Sequence, residues 1–139
     1  MLQHDRGVVS LSDAGAHLIY MCDAGYGLHM LSRWVRELGV FSLAEGVRRL
    51  TSHPADLYGI KGRGRLTPGN SADMVLFEPA KIGVGDPQRV SDLPGGGPRT
   101  IRQPKGVHGV WVNGTQVFDG TDYVEHAKGP GRVLRDFAA

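Results

Sequence analysis

The chain has 139 residues, a length that fits one domain with a real hydrophobic core. Its 21 glycines and 8 prolines make up about a fifth of the sequence, below the roughly 25–30% at which such enrichment indicates low complexity. Sixteen basic and fourteen acidic residues are interspersed and give a net charge of +2. The composition predicts a turn-rich α/β or α+β protein and argues against a coiled coil, a collagen-like chain and a disordered one.

Charge and cysteine usage also bear on partners and compartment. The densest basic stretch is Lys61, Arg63 and Arg65, separated by glycines, and it predicts a solvated turn rather than a nucleic-acid-binding face. The single Cys22 rules out an internal disulfide framework and fits a reducing compartment. The sequence lacks an apolar run of about 18 residues and a secretory signal at its start. We expect a cytoplasmic protein with no nucleic-acid or membrane partner.

The first half predicts one short strand and then helices. Residues 8–11 are apolar and β-branched, which predicts a buried strand with Ser12 and Asp13 at its carboxyl end. Apolar residues at helical spacing predict a first helix that ends at Gly39: Leu28, Leu31, Trp34, Val35 and Leu38.

A second helix follows at once. Ser42 and Glu45 have capping-box spacing and predict a helix with Val47 and Leu50 on its inner face. Pro54 is expected to end this helix and to open one further turn.

The second half predicts short strands between turns. Pro68-Gly69 predicts a type II turn, and Thr67 stands where a dinucleotide fingerprint needs glycine, which rules out a phosphate loop. Residues 74–77 predict a strand covered on both faces, and residues 83–99 predict an ordered surface loop. Asn113-Gly114 between two β-rich segments predicts a hairpin over 107–118. The tail at 130–134 predicts one more strand.

Few residues have the pattern of a catalytic site. No two of the six histidines have H-x-H or H-E-x-x-H spacing, and no segment offers the three ligands of a catalytic zinc: His4, His17, His29, His53, His108 and His126. A serine-nucleophile elbow is absent, and Asp23 beside Cys22 disfavours a thiolate.

Asp13 stands out because it follows a predicted buried strand, the position at which α/β folds gather catalytic groups. A carboxylate there can coordinate a cation or take a proton from a metal-bound water. The alternative is that Asp13 caps its loop by accepting hydrogen bonds from backbone amides.

The motif at residues 12–17, Ser-Asp-Ala-Gly-Ala-His, resembles the strand-eight motif of metal-dependent amidohydrolases of the D-aminoacylase-like branch, the N-acyl-D-amino-acid deacylases. Four further segments resemble, in chain order, the helix after that strand, the return into a small β-domain, its closing hairpin and its ending: residues 48–59, 62–77, 110–114 and 131–135.

The resemblance implies an α/β plus β fold. Residues 1–60 would be the last strand and following helices of a TIM-like metal-dependent hydrolase barrel, and residues 61–139 a small β-sandwich-like domain. The family's enzymes are several times longer, and their H-x-H metal ligands lie on segments that these residues do not include.

The resemblance also implies an activity, the hydrolysis of a small N-acyl D-amino acid by Zn²⁺-activated water. Asp13 would be the general base and a possible metal ligand, whereas His17 receives no defined role. The isolated chain is expected to bind no Zn²⁺ and to be inactive, because the other ligands lie elsewhere.

Two other hypotheses remain open. The chain is a non-catalytic binding or assembly domain, since absent barrel strands would expose Val8, Val9, Leu11 and the stripe around Trp34 and favour self-association. Alternatively, it is a separately encoded subunit of a split enzyme.

Overall fold

Helices occupy the first half of the chain and antiparallel strands the second. The computed structural model describes residues 2–9, 12, 17–135 and 137. In chain order the elements are α1 (Tyr26–His29), a π-helical segment (Met30–Glu37), α2 (Leu43–Leu50), α3 (Ser52–Leu57), β1 (Met74–Phe77), β2 (Gly83–Leu93), a 3₁₀ turn (Pro94–Gly96), β3 (Gly97–Lys105), β4 (Val107–Val112) and β5 (Thr115–Phe118). None of the helices described is both long and apolar enough to cross a membrane.

The first predicted helix is confirmed, but most of it is π-helical. Its widened winding is visible where the Leu38 amide donates to the Arg33 carbonyl at 3.0 Å, five residues back. Leu31 and Val35 pack into the core, whereas Leu38 at the end of the stripe is exposed. The inner face therefore matches the predicted apolar stripe only over its first part.

The predicted cap of α2 is confirmed, because the Ser42 hydroxyl accepts a hydrogen bond from the Glu45 amide at 3.2 Å. The predicted end of the helix is wrong by three residues, since Thr51 already leaves helical geometry at φ −130° and ψ −88°. Pro54 does not end α2, but the further helical turn predicted from Pro54 is present as α3, which begins two residues earlier at Ser52. Pro54 is tolerated there because the first amides of a helix have no intrahelical acceptor.

The strands form two antiparallel sheets, one of order β1-β4-β5 and one of β2 and β3. The predicted hairpin is confirmed, with Asn113 and Gly114 at φ +48° and +80° between β4 and β5, as a type I′ turn requires. The predicted turn at Pro68-Gly69 is confirmed by the hydrogen bond from the Asn70 amide to the Thr67 carbonyl at 3.1 Å.

The prediction of a surface loop at 83–99 is wrong, because these residues form β2, the 3₁₀ turn and the start of β3. The register runs from Gly83 opposite Lys105 to Leu93 opposite Gly97, with an irregularity before Pro87. Most side chains of β2 are polar and exposed, so the segment lacks the apolar alternation that predicts a strand. Backbone hydrogen bonds define this hairpin.

Three further strand predictions are corrected or left open. β1 is confirmed as a strand but is not covered on both faces, because it lies at the edge of its sheet and Val75 and Leu76 are exposed. Residues 130–134 form no strand. Val8 and Val9 are partly buried coil, since a strand needs a hydrogen-bonded neighbour; residues 10 and 11 of that prediction lie outside the described residues.

One apolar core joins the helices to the three-stranded sheet. Its buried members come from the π-helical segment, the entry to β2, β4 and β5: Leu31, Ile82, Val107 and Phe118. Val47 and Leu50 pack against this cluster from α2, as predicted. The Arg36 guanidinium adds polar contacts between the layers, since its Nη1 donates to the carbonyls of Ile82 at 2.5 Å and Ala80 at 3.3 Å.

A second contact joins the segments at 62–77 and 110–114. Arg63 donates to the Asp73 carboxylate and, at 2.9 Å, to Asn113 Oδ1. Asp73 also accepts from the Asn113 amide at 2.8 Å, and Asn113 Nδ2 donates to the Pro130 carbonyl at 2.6 Å. Arg63 is therefore partly buried and paired, and the prediction of a solvated turn is wrong at this position.

The core position of Ile82, only 1% exposed, gives a graded test of this packing. Replacement by Val is expected to lower the free energy of unfolding by about 0.5–1.5 kcal/mol and replacement by Ala by about 2–5 kcal/mol, because methyl groups are lost and a cavity remains. Urea denaturation measures both. The exposed Val75→Ala is the control, with an expected loss below about 1 kcal/mol; equal losses at the two positions would contradict the core assignment.

Candidate active site

The predicted catalytic residue, Asp13, lies outside the described residues, and so do residues 14–16. The structure describes Ser12 before these residues and His17 after them. Ser12 lines a cleft, and His17 opens a turn in which its carbonyl accepts from the amides of Tyr20 at 2.8 Å and Met21 at 3.0 Å. The role of Asp13 therefore stays a prediction, and the cleft that Ser12 lines is the candidate site that the described residues offer.

The cleft beside Ser12 has a volume of about 360 Å³ and carries polar groups of several kinds. Six of its lining residues carry a hydroxyl, thiol, carboxylate, phenol, imidazole or guanidinium group: Ser12, Cys22, Asp23, Tyr26, His29 and Arg102. The other two are Gly25 and Val84. A concave site with convergent polar groups is the expected form of an active site.

The β2–β3 hairpin forms one wall of this cleft because it is bound to the loop after Asp13. The Thr100 amide donates to the Leu18 carbonyl at 2.7 Å, and the Thr100 hydroxyl donates to the Ile19 carbonyl at 3.2 Å. Val84 packs closely on Gly25, because a Cβ added to Gly25 would lie only 2.7 Å from Cγ2 of Val84. Residues some 80 positions apart thus meet at one site.

Arg49 fixes the segment that leads to Asp13. Its side chain extends from α2, and the residue is only 3% exposed. It donates to the carbonyls of residues 2 and 4, each at 2.8 Å, and more weakly to those of residues 3 and 7 at 3.3 and 3.4 Å. Its Nε donates to Glu45 at 2.7 Å, and its guanidinium carbon lies 5.4 Å from the centre of the Phe41 ring.

Glu45 accepts hydrogen bonds both from the buried Arg49 and from the exposed Arg48. Arg48 donates to both carboxylate oxygens of Glu45, at 2.7 and 2.9 Å, and Arg49 donates to one of them. The hydrogen bonds from Arg48 and then Arg49 lower the pKa of Glu45 from 4.5 to about 2. Arg48 Nη1 also lies 3.1 Å from Nδ1 of the buried His53.

A larger hollow of about 640 Å³ lies between the helices and β1, and its lining is mainly apolar. It includes Val47, Leu50 and Phe77, which pack against the core. The Arg63–Asp73 pair at its edge is satisfied internally. This hollow lacks the mixture of polar groups seen beside Ser12, so the smaller cleft is the candidate active site.

The described residues do not form a metal centre. A catalytic zinc has about three protein ligands, and no group of three His, Cys, Asp or Glu side chains within this part of the chain lies close enough together to hold one. Cys22, Asp23 and His29 line the cleft but are not such a group. The donor set therefore does not fit a self-contained metal site, and no catalytic step is assigned here to a metal.

Comparisons with known proteins show which family the sequence matches. The amidohydrolase family model matches residues 1–118. An N-acyl-D-aspartate deacylase of Alcaligenes xylosoxydans xylosoxydans is 39% identical over 106 residues, which are 76% of this chain and 19% of that protein.

Two solved D-aminoacylase structures share the fold. A mutant in complex with CuCl₂ matches with a TM-score of 0.60 and 30% identity, over 79% of this chain and 21% of that one. A structure that concerns the binuclear metal centre matches with a TM-score of 0.55 and 29% identity, over 72% and 19% of the two chains.

The chain belongs to the amidohydrolase family, whose members act on C–N bonds other than peptide bonds. Within that family it falls in the D-aminoacylase-like branch, as the motif at 12–17 predicts. The chain spans about a fifth of the length of the relatives it matches.

Sequence reasoning missed two residues of this site. Arg102 lies between the predicted loop at 83–99 and the predicted hairpin at 107–118, in residues without a structural prediction, and no motif surrounds it. Arg49 is next to Arg48 in the resembling segment 48–59, but nothing in the local sequence indicates that one arginine is exposed and the other buried. The helical position of Arg49, four residues after Glu45, predicts only their ion pair.

The lowered pKa of Glu45 predicts a pH dependence of stability. A depressed folded-state pKa gives a stabilisation that is complete above the unfolded value of 4.5 and is lost as the pH falls through about 2. The difference in unfolding free energy between the unmodified chain and Glu45→Gln should therefore stay constant from pH 6 to about 4.5 and shrink from there to about pH 2. Denaturant unfolding across this range measures it.

Glu125→Gln is the control for this experiment, since Glu125 is exposed and forms no ion pair with the described part of the chain. Its difference from the unmodified chain should stay near zero at each pH. A Glu45→Gln difference that is constant between pH 6 and pH 2 would contradict the assigned ion pairs.

Proposed function

We propose that the chain is the carboxyl-terminal part of a metal-dependent amidohydrolase that hydrolyses the amide bond of N-acyl D-amino acids. The observation that carries this proposal is the polar cleft beside Ser12, next to the motif aspartate of a chain in the D-aminoacylase-like branch. The similar N-acyl-D-aspartate deacylase supports a small N-acyl amino acid as the substrate class.

Asp13 is the proposed general base. It takes a proton from the attacking water as that water adds to the amide carbonyl, and it returns the proton to the leaving amine. The backbone contacts made by Arg49 support this role, because they hold the segment that leads to the aspartate. His17, whose ring is given no role, starts the turn on the other side of the motif.

The metal is proposed to be Zn²⁺, with its remaining ligands on residues outside this chain. Two findings support a shared site: a similar solved structure concerns the binuclear metal centre of D-aminoacylase, and no three His, Cys, Asp or Glu side chains among the described residues lie close enough together to hold a metal. By this proposal the 139 residues alone bind no stoichiometric Zn²⁺ and have no activity.

The proposed architecture follows from the same reasoning. Residues 1–60 supply the last strand and following helices of a TIM-like barrel, and residues 61–139 a small β-sandwich-like domain. We also propose a cytoplasmic location, from the reducing compartment that Cys22 fits.

A second candidate function is a binding or assembly domain, including a subunit of a split enzyme. Apolar side chains exposed on β1, among them Val75 and Leu76, favour it, because contiguous apolar surface drives association. Light scattering on the isolated chain distinguishes the candidates. A stable oligomer of this chain alone supports self-association, and a compact monomer argues against it.

The catalytic proposal is tested on the natural protein that carries these residues, purified whole. Asp13→Asn should lower kcat for an N-acetyl-D-amino acid by about 10²–10⁴-fold, the usual contribution of a general base. Asp86→Asn, at a highly exposed position of β2, should leave kcat unchanged. Retained activity in Asp13→Asn, or no deacylase activity in the unmodified protein, would contradict the proposal.

The isolated chain provides the complementary test. Assayed with added Zn²⁺ and N-acetyl-D-aspartate, the 139 residues should show no turnover, since one motif carboxylate cannot assemble the ligands of a hydrolytic metal. Release of D-aspartate measures the reaction. Turnover that depends on Asp13 would show that the chain is a self-sufficient enzyme and would overturn the shared-site proposal.

A further inference from the structure

Arg102 is a cation in the candidate active-site cleft without an anionic partner in the described structure. It is exposed on β3 and lines the cleft together with Ser12 and His29. Arg99, three residues earlier on the same strand, shows the contrast, because it donates to both carboxylate oxygens of Asp92 at 2.6 and 2.7 Å. No such salt bridge ties Arg102 to any residue between 17 and 135, or to the described residues before them.

The strand directs Arg102 toward the loop that follows Asp13. Side chains two residues apart on a strand lie on the same face, and Thr100 donates from its hydroxyl to the Ile19 carbonyl on that face. The same register places Arg102 opposite Pro87, which has no amide hydrogen and no charge. The arrangement therefore places the Arg102 guanidinium at the cleft that Ser12 also lines, with an uncharged residue opposite it in the hairpin.

A guanidinium in this position selects for a carboxylate. Its planar donors match the two oxygens of a carboxylate and form two parallel hydrogen bonds. The Tyr26 hydroxyl and the His29 imidazole offer further polar contacts in the same lining. The Arg102 guanidinium is therefore the group of this cleft best suited to bind an anion.

We propose that Arg102 binds the carboxylate of the N-acyl amino acid and so orients the scissile amide toward Asp13. The inference rests on the proposed function, which supplies an anionic substrate. It adds a binding residue on the β2–β3 hairpin, far in sequence from the motif at residues 12–17.

The experiment measures binding by the full 139-residue chain, where turnover plays no part. The ¹⁵N-labelled chain is titrated with N-acetyl-D-aspartate and, in parallel, with its uncharged diamide, and amide chemical shifts are followed. The acid should shift the amides of Cys22, Asp23 and Tyr26, and the diamide should not. Arg102→Gln should weaken binding of the acid by about 10- to 100-fold, the value of a charge-assisted pair.

Arg89→Gln is the matched control. Arg89 is an exposed arginine of the same hairpin, opposite Thr100 in register, and it does not line the cleft. This variant should bind the acid as the unmodified chain does. Equal binding of acid and diamide, equal weakening by both arginine variants, or no shift at cleft residues would overturn the proposal.

Failure of the deacylase proposal and failure of the Arg102 proposal give different experimental results. Asp13→Asn should leave carboxylate binding by the chain intact, because it removes the base and not the guanidinium. If the whole natural protein lacks deacylase activity while the chain still binds the acid through Arg102, the deacylase proposal fails and the carboxylate site stands. If the enzyme is active and Arg102→Gln leaves its KM unchanged, only the carboxylate site fails.

Discussion

The segment that leads to Asp13 depends on one buried cation, Arg49. Its guanidinium contacts four backbone carbonyls between residues 2 and 7, the carboxylate of Glu45 and the face of Phe41. Removing one partner of such a buried network is strongly destabilising, because a charge or a set of carbonyls is left without partners. A helix that follows the motif in the sequence thereby also holds residues 2–7, which precede it.

The strands complete the cleft through contacts that are equally remote in sequence. Arg36 donates to the carbonyl of Ile82 at the entry to β2, and Thr100 on β3 binds the loop that starts at His17. The helices and the β2–β3 hairpin are therefore fixed relative to each other near Ser12. This arrangement explains how a hairpin with almost no core residues contributes a site residue, Arg102, beside a family motif.

Local chemistry predicted the turns and caps well, as Asn113-Gly114 and the Ser42 cap show, because each depends on two or three adjacent residues. It failed for β2, whose polar sequence forms a strand only because β3 pairs with it. It also gave no indication of the π-helical winding after His29. The motif identified the family and predicts Asp13 as its catalytic residue, whereas Arg49 and Arg102 required three-dimensional contacts between distant segments.

The central claim is that Asp13 belongs to an active site completed by residues outside this chain. The intact mass of the natural polypeptide that carries deacylase activity tests it most directly. The matched deacylase is about four times as long as this chain, since its 106 aligned residues are 19% of its length, and a mass near four times 15.0 kDa is the predicted result. An active species consisting of the 15.0 kDa chain alone would contradict the account.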